Sequence, residues 1–131
     1  MSAALLDTSV VLDWGDPAVV AALPDTAAIS AVTLAELAAG PHLAADTAES
    51  ARRQARLQEV EATFDPIPFD ASSARSFGLV VAAVAAAGRT PRSRVADLLI
   101  AATAHAHGLP VLTRNPDDFR GLETLLEVRS V

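Results

Sequence analysis

The sequence predicts an α/β domain with a central, mainly parallel β-sheet flanked by helices. Two observations carry that reading: short apolar runs that suit buried strands, and amphipathic or apolar helical stretches that alternate with them along the chain. A third is that the first and third runs each end abruptly in polar residues, "LLDTS" and "VLTRN", as strands do when they deliver side chains to a crevice at the carboxyl edge of a sheet.

Residues 3–6 read as the first strand, "TAAIS" (26–30) as the second, "LPVLT" (109–113) as the third and "LLEVRSV" (125–131) as the fourth. Between them, "VTLAELAAG" is a helix stopped at Gly40-Pro41, and residues 46–63 form an amphipathic helix ended by "DPIP". Asp70 is placed to cap a helix that closes at Gly88. The segment "RTPRSR" is a polar connection, and Ser93 is placed to cap a last helix that stops at Gly108.

With 131 residues, no repeat and no linker-like segment, the chain reads as one domain, 1–131. It has no cysteine, which excludes a disulfide framework and thiolate metal sites. No signal peptide or membrane anchor is expected, so the expected location is the cytoplasm. The net charge of −6 argues against indiscriminate electrostatic binding of nucleic acid. That objection weakens when several of the acids belong to one site.

Asp7 follows the first strand, where a charge has little business unless it serves the crevice. Glu36 lies in the helix after the second strand. Its spacing from Thr33 fits a capping box, and a functional acid fits equally well. Asp97 sits in "RVADLLIAATA", apolar on nearly every side; such a carboxylate is costly unless it is paired, for instance with Arg94, or bound to a cation. After the third strand, "TRNPDDF" offers Asn115 and Asp118 as site candidates, while Asp117 suits a turn. Hard oxygen donors without cysteine suit Mg²⁺ or Mn²⁺, which promote attack of water on phosphodiesters.

Arg89, Arg92 and Arg94 form a basic stretch just before the Asp97 helix, and Arg114 adds a fourth cation; phosphate contacts and a solvated loop are both open. Thr8 and Thr113 are candidate phosphate contacts or local hydrogen-bond partners. His105 and His107, at i and i+2, cannot face one ligand from a regular helix, and with His42 are read as structural. Trp14, close to Asp7 in sequence, is read as a core residue, with stacking on a base as the alternative.

"LLDTSV", "SAVTLAEL", "VADLLIAATAHAHGLPVL" and the Thr113-Arg114-Asn115 turn, in that order, resemble the PIN-domain ribonucleases, in particular the VapC-type toxins of toxin–antitoxin pairs. The resemblance implies a PIN-like three-layer sandwich and an Mg²⁺- or Mn²⁺-dependent endoribonuclease that hydrolyses RNA by metal-activated water. It implies a homodimer held in check by a small antitoxin, with no nucleotide cofactor. Asp7 and Asp97 would be the main metal ligands, Glu36 the third acid, and the fourth position falls on Asn115, where many relatives carry Asp. Asn brings no charge, so Asp118 becomes a second candidate for that place, and one metal is favoured over two. The rival readings are a PIN-like module that binds RNA or protein without cutting, and a Mg²⁺-dependent phosphatase with Asp7 as nucleophile. The D-x-D pattern of the latter is broken here by Ser9.

Overall fold

The computed structural model describes residues 2–131, apart from the side chain of Ser93. Four strands, β1 (Ala3–Leu6), β2 (Thr26–Ala28), β3 (Val111–Thr113) and β4 (Val128–Ser130), form one sheet in the order β2-β1-β3-β4. Every pairing is parallel. The chain leaves β1 toward β2 on one side and returns to β3 on the other, so the strand order reverses between β1 and β3, where crevices open in parallel sheets.

The helices are α1 (Thr8–Leu12), α2 (Pro17–Ala22), α3 (Ala31–Ala39), α4 (Thr47–Thr63), α5 (Ala71–Ala86) and α6 (Val95–Ala106), with 3₁₀ turns at Gly40–Leu43, Pro91–Arg94 and Pro116–Phe119. Side chains along a strand alternate between faces. Thus Leu5 and Val111 enter a core with Val80, Leu98, Ile100 and Phe119, under α5 and α6. Ala4, Leu6 and Leu112 enter a second core with Val10, Ile29, Leu37 and Leu57, under α1, α3 and α4. The result is the expected helix–sheet–helix sandwich, and the central strands β1 and β3, buried on both faces, read as unbroken apolar runs for that reason.

β1 spans 3–6 as the sequence suggests, whereas β2, β3 and β4 are shorter than it suggests. Beyond β2 only Ser30 continues the pairing, as an isolated parallel bridge to Ile67. Asp70 caps α5 as expected, through Ser73 N, and Asp46 caps α4 through Glu49 N. α6 ends ahead of Gly108, whose φ of 65° no side chain would welcome. The cap expected of Ser93 lies outside the described residues; Arg94 holds the N-cap position of α6.

The Thr33–Glu36 capping box does not form. Ser30 caps α3, accepting from Val32 N at 2.8 Å, which puts Glu36 in the second turn, away from the free amides. Two helices absent from the sequence reading, α1 and α2, follow β1 directly. Among the described residues no helix is long and apolar enough to cross a membrane.

Candidate active site

Asp7 leaves β1 with its backbone N–H bonded to Leu112 O of β3 at 2.9 Å and with only 3% of its surface exposed. It occupies the N-cap position of α1, yet its side chain caps nothing. Oδ2 instead accepts from Ser9 Oγ (2.7 Å) and Thr113 Oγ1 (2.8 Å). Each hydroxyl has one hydrogen and spends it on Asp7. Their own lone pairs receive backbone amides, Arg114 N on Ser9 Oγ (3.1 Å) and Asn115 N on Thr113 Oγ1 (2.9 Å). One carboxylate oxygen is thus fixed by a network closed between β1 and β3, and Oδ1 makes no hydrogen bond.

Glu36 projects from α3 toward α1 and accepts from Thr8 Oγ1 at 2.6 Å. Because Thr8 donates there, its 3.0 Å contact with the buried Thr33 has Thr33 as donor. Thr33 and Thr8 therefore form a relay of hydroxyls that steadies Glu36.

Asp97, in the first turn of α6, is half-buried and makes no ion pair with Arg94, which turns to Asp118 instead. Its carboxyl is pushed up to about 7, first by burial and then by the charges of Asp7, Asp118 and Glu36, with Arg94 pulling the other way. Asp97 thus feels three acids from three other segments of the chain. Asp118 is among them and Asn115, exposed just beyond β3, contributes no charge.

The cations are largely committed. Arg89 donates to the carbonyls of Asp117 (2.9 Å) and Arg120 (2.7 Å), and Arg94 pairs with Asp118, so both pin the Pro116–Phe119 turn. Arg114 reaches across to the α1–α2 connection, 2.8 Å from Asp16 and 3.2 Å from Asp13, and its hydrogen bond holds the Asp16 carboxyl below the usual range. Arg92 is exposed without a partner. Thr113 is wholly buried and Thr8 half-buried, each with its proton spent on a carboxylate. Ser76 meets His105 Nδ1 at 2.9 Å between α5 and α6, away from the acids. Trp14 stands edge-on to Phe64, with centroids 5.6 Å apart.

Thr8 and Glu36 line a cleft of about 340 Å³ that runs past Leu12 toward Arg53 and Arg56. A larger groove of about 440 Å³ continues beyond it, walled by Val11, Trp14, Val60 and Phe64, and holds none of the four clustered acids. Among the described residues, no three acidic or imidazole groups converge closely enough to hold a metal as they stand. The donor set still suits a hard divalent cation. It is all oxygen, carries an excess of negative charge around Asp97, and leaves Asp7 Oδ1 and Asp97 without hydrogen bonds.

The PIN domain family profile matches residues 4–124. The chain belongs to the PIN domain family. Ribonuclease VapC5 of Mycobacterium tuberculosis is 39% identical over 132 residues, spanning 99% of this chain and 95% of that protein. The crystal structure of VapBC-5 from the same organism, a member of the VapBC family of toxin–antitoxin systems, superposes with a TM-score of 0.85 at 38% identity over the whole of both chains. FitAcB from Neisseria gonorrhoeae follows at a TM-score of 0.78 and 29% identity, over 95% of each chain. The PIN fold of this chain is therefore the sandwich that the sequence predicts.

The sequence reading missed Ser9, which grips Asp7 together with Thr113. Its signal was present, since "DTS" at a strand end places the Ser9 hydroxyl two residues from the carboxylate, while Thr113 was already a candidate for a local hydrogen bond. Thr33 was singled out, though for a cap rather than for the relay. Arg56 was not singled out at all.

Proposed function

We propose that this PIN domain is a divalent-metal-dependent endoribonuclease and the toxin of a toxin–antitoxin pair, acting in the cytoplasm as a homodimer and restrained by a small protein antitoxin. The observation that carries the reading is Asp97, half-buried in the first turn of α6, whose carboxyl is pushed up first by burial and then by the charges of Asp7, Asp118 and Glu36. The names of the similar ribonucleases and toxin–antitoxin assemblies support substrate and partner.

Asp7 and Asp97 would be the principal ligands for Mg²⁺ or Mn²⁺, with Glu36 and Asp118 adding negative charge and Asn115 Oδ1 as a neutral supplement. The bound cation supplies Lewis-acid activation of water and offsets charge on the phosphodiester. The residues do the positioning. Ser9 and Thr113 fix Asp7 so that Oδ1 is presented to the crevice. Thr8 and Thr33 fix Glu36, which orients the attacking water in line with the scissile bond. Arg94 holds Asp118 beside the site until charge on the substrate competes for it.

Purified protein incubated with a mixed single-stranded and hairpin RNA pool in Mg²⁺, Mn²⁺ or EDTA, beside Asp7→Asn, tests this. Cutting that EDTA and the variant both abolish supports the reading. RNA binding without cutting under every condition points to a non-catalytic module, and phosphate trapped on Asp7 points to a phosphatase.

A further inference from the structure

The cations singled out by sequence for substrate phosphates are mostly spent on the protein itself: Arg89 on two carbonyls, Arg94 on Asp118, Arg114 on Asp13 and Asp16. On α4, Arg52 and Arg53 both close on Glu49, at 2.8 and 2.9 Å, and Arg53 also donates to Gly40 O. Arg56 is the exception on that helix. It makes no hydrogen bond or ion pair, although it is half-buried and Glu59 lies one turn on. The other arginines without partners, Arg75 and Arg92, are exposed and line neither cleft.

The place of Arg56 is as informative as its lack of a partner. It lines the cleft that contains Thr8 and Glu36, and it also lines the larger groove beside Trp14 and Phe64, so it stands where the two meet. A guanidinium held partly out of water without an acceptor is poorly solvated and has five donors to offer, in a fork that matches a phosphate. Two further arginines precede it at i−4 and i−3, and Glu49 already absorbs their charge. An anion entering the cleft from the acids therefore meets Arg56 as the uncommitted cation.

We propose that Arg56 is a substrate-binding residue that grips an RNA backbone phosphate flanking the scissile one and leads the strand from the acidic crevice into the α1–α4 groove. This inference rests on the ribonuclease reading above. The protein reads no base through this contact, so it adds affinity along any single strand and fixes register without choosing sequence.

The test is steady-state cleavage of a single-stranded RNA in Mg²⁺ over a series of KCl concentrations, comparing the full-length protein with Arg56→Gln, Arg56→Lys and Arg75→Gln, each checked for an unchanged melting temperature. Arg56→Gln is expected to raise KM roughly tenfold while kcat stays within about threefold of the parent. It should also flatten the dependence of log kcat/KM on log salt by about 0.7, the increment for one phosphate contact on a single strand. Arg56→Lys should recover most of the salt slope, and Arg75→Gln should match the parent. Unchanged KM and slope in Arg56→Gln, with the parent cutting normally, would overturn the inference and leave the ribonuclease reading intact. So would a fall in kcat alone. Unchanged RNA kinetics combined with weakened binding of the protein antitoxin would reassign Arg56 to a partner's carboxylate and overturn it as well. A parent protein that neither binds nor cuts RNA would remove the ribonuclease reading itself, and this inference with it.

Discussion

Thr113 Oγ1 donates to Asp7 Oδ2 at 2.8 Å, joining the tips of β3 and β1 across most of the chain's length. The bond is buried, and Asn115 N donates in turn to the same hydroxyl. Valine keeps the shape of threonine but strips the carboxylate of one donor and leaves Asn115 N without its acceptor. Thr113→Val is expected to weaken the Mg²⁺ dependence of RNA cleavage by about 10- to 100-fold, the usual cost of removing a group that orients a metal ligand. Thr113→Ser, which keeps the hydroxyl, should lose far less. Cleavage rates across an Mg²⁺ titration for the three proteins check this, and equal half-saturation for valine and serine would refute it.

Asp97 makes the pH dependence of stability predictable in sign. Its folded carboxyl is raised to about 7 from an ordinary value of 3.8, by burial first and by Asp7, Asp118 and Glu36 next. The folded state therefore binds the proton more tightly than the unfolded state does. That contribution is fully present below about pH 4 and is lost as pH rises to about 7. In EDTA, Asp97→Asn should match the parent's melting temperature near pH 4 and exceed it at pH 8, by about 2 to 4 °C for each kcal/mol relieved. Solvent reaching the half-buried group keeps the gain below what the shift alone suggests. At pH 8, Mg²⁺ should stabilise the parent more than the variant, and the variant should not cut RNA. Melting curves across pH, with and without Mg²⁺, decide the matter.

What the sequence disclosed and what it withheld divide along a physical line. Strands buried on both faces leave unbroken apolar runs, and an acid at the end of such a run is conspicuous, so β1 with Asp7 and β3 with its polar turn were readable. α1 and α2 have five and six residues, too few for a helical period to emerge. The Thr33–Glu36 spacing was real but named the wrong cap, because the Ser30–Ile67 bridge starts α3 at Ala31. Ion pairs such as Arg94–Asp118 and Arg114–Asp16 join residues far apart in sequence. No local pattern encodes them, so arginines that bond to the protein's own carbonyls and carboxylates read as free for substrate, and Arg56 had no pattern to mark it.

Arg114 illustrates the difference. Its guanidinium spans from the end of β3 to Asp13 and Asp16, tying the α1–α2 connection to the segment that carries Asn115. Arg114→Ala is expected to lower the melting temperature slightly at low ionic strength, with the loss fading at high salt as the exposed pairs are screened. KM for RNA should stay within about threefold of the parent, since a cation already paired with two carboxylates adds little to phosphate binding. A double-mutant cycle with Asp16→Ala should show positive coupling that disappears in high salt. A tenfold rise in KM for Arg114→Ala would return this residue to the substrate.

Gly121 controls how the chain leaves the Pro116–Phe119 turn. Its φ is 99°, and a Cβ added there would lie 3.0 Å from the Ala87 Cβ at the end of α5 and 3.9 Å from Ala83 O. Phe119, buried beside it, and Arg89, bonded to Arg120 O, fix both sides of the turn, so the backbone has little room to relax. Gly121→Ala therefore combines backbone strain of about 1–3 kcal/mol with a contact that must shift α5 or the turn. Gly15→Ala, with nothing within 4 Å of the added carbon, should be close to neutral. Urea unfolding of both variants measures the contrast. The turn also carries Asp118, so Gly121→Ala should weaken Mg²⁺ activation of cleavage as well as stability, whereas a destabilised protein with normal Mg²⁺ activation would separate Asp118 from the site.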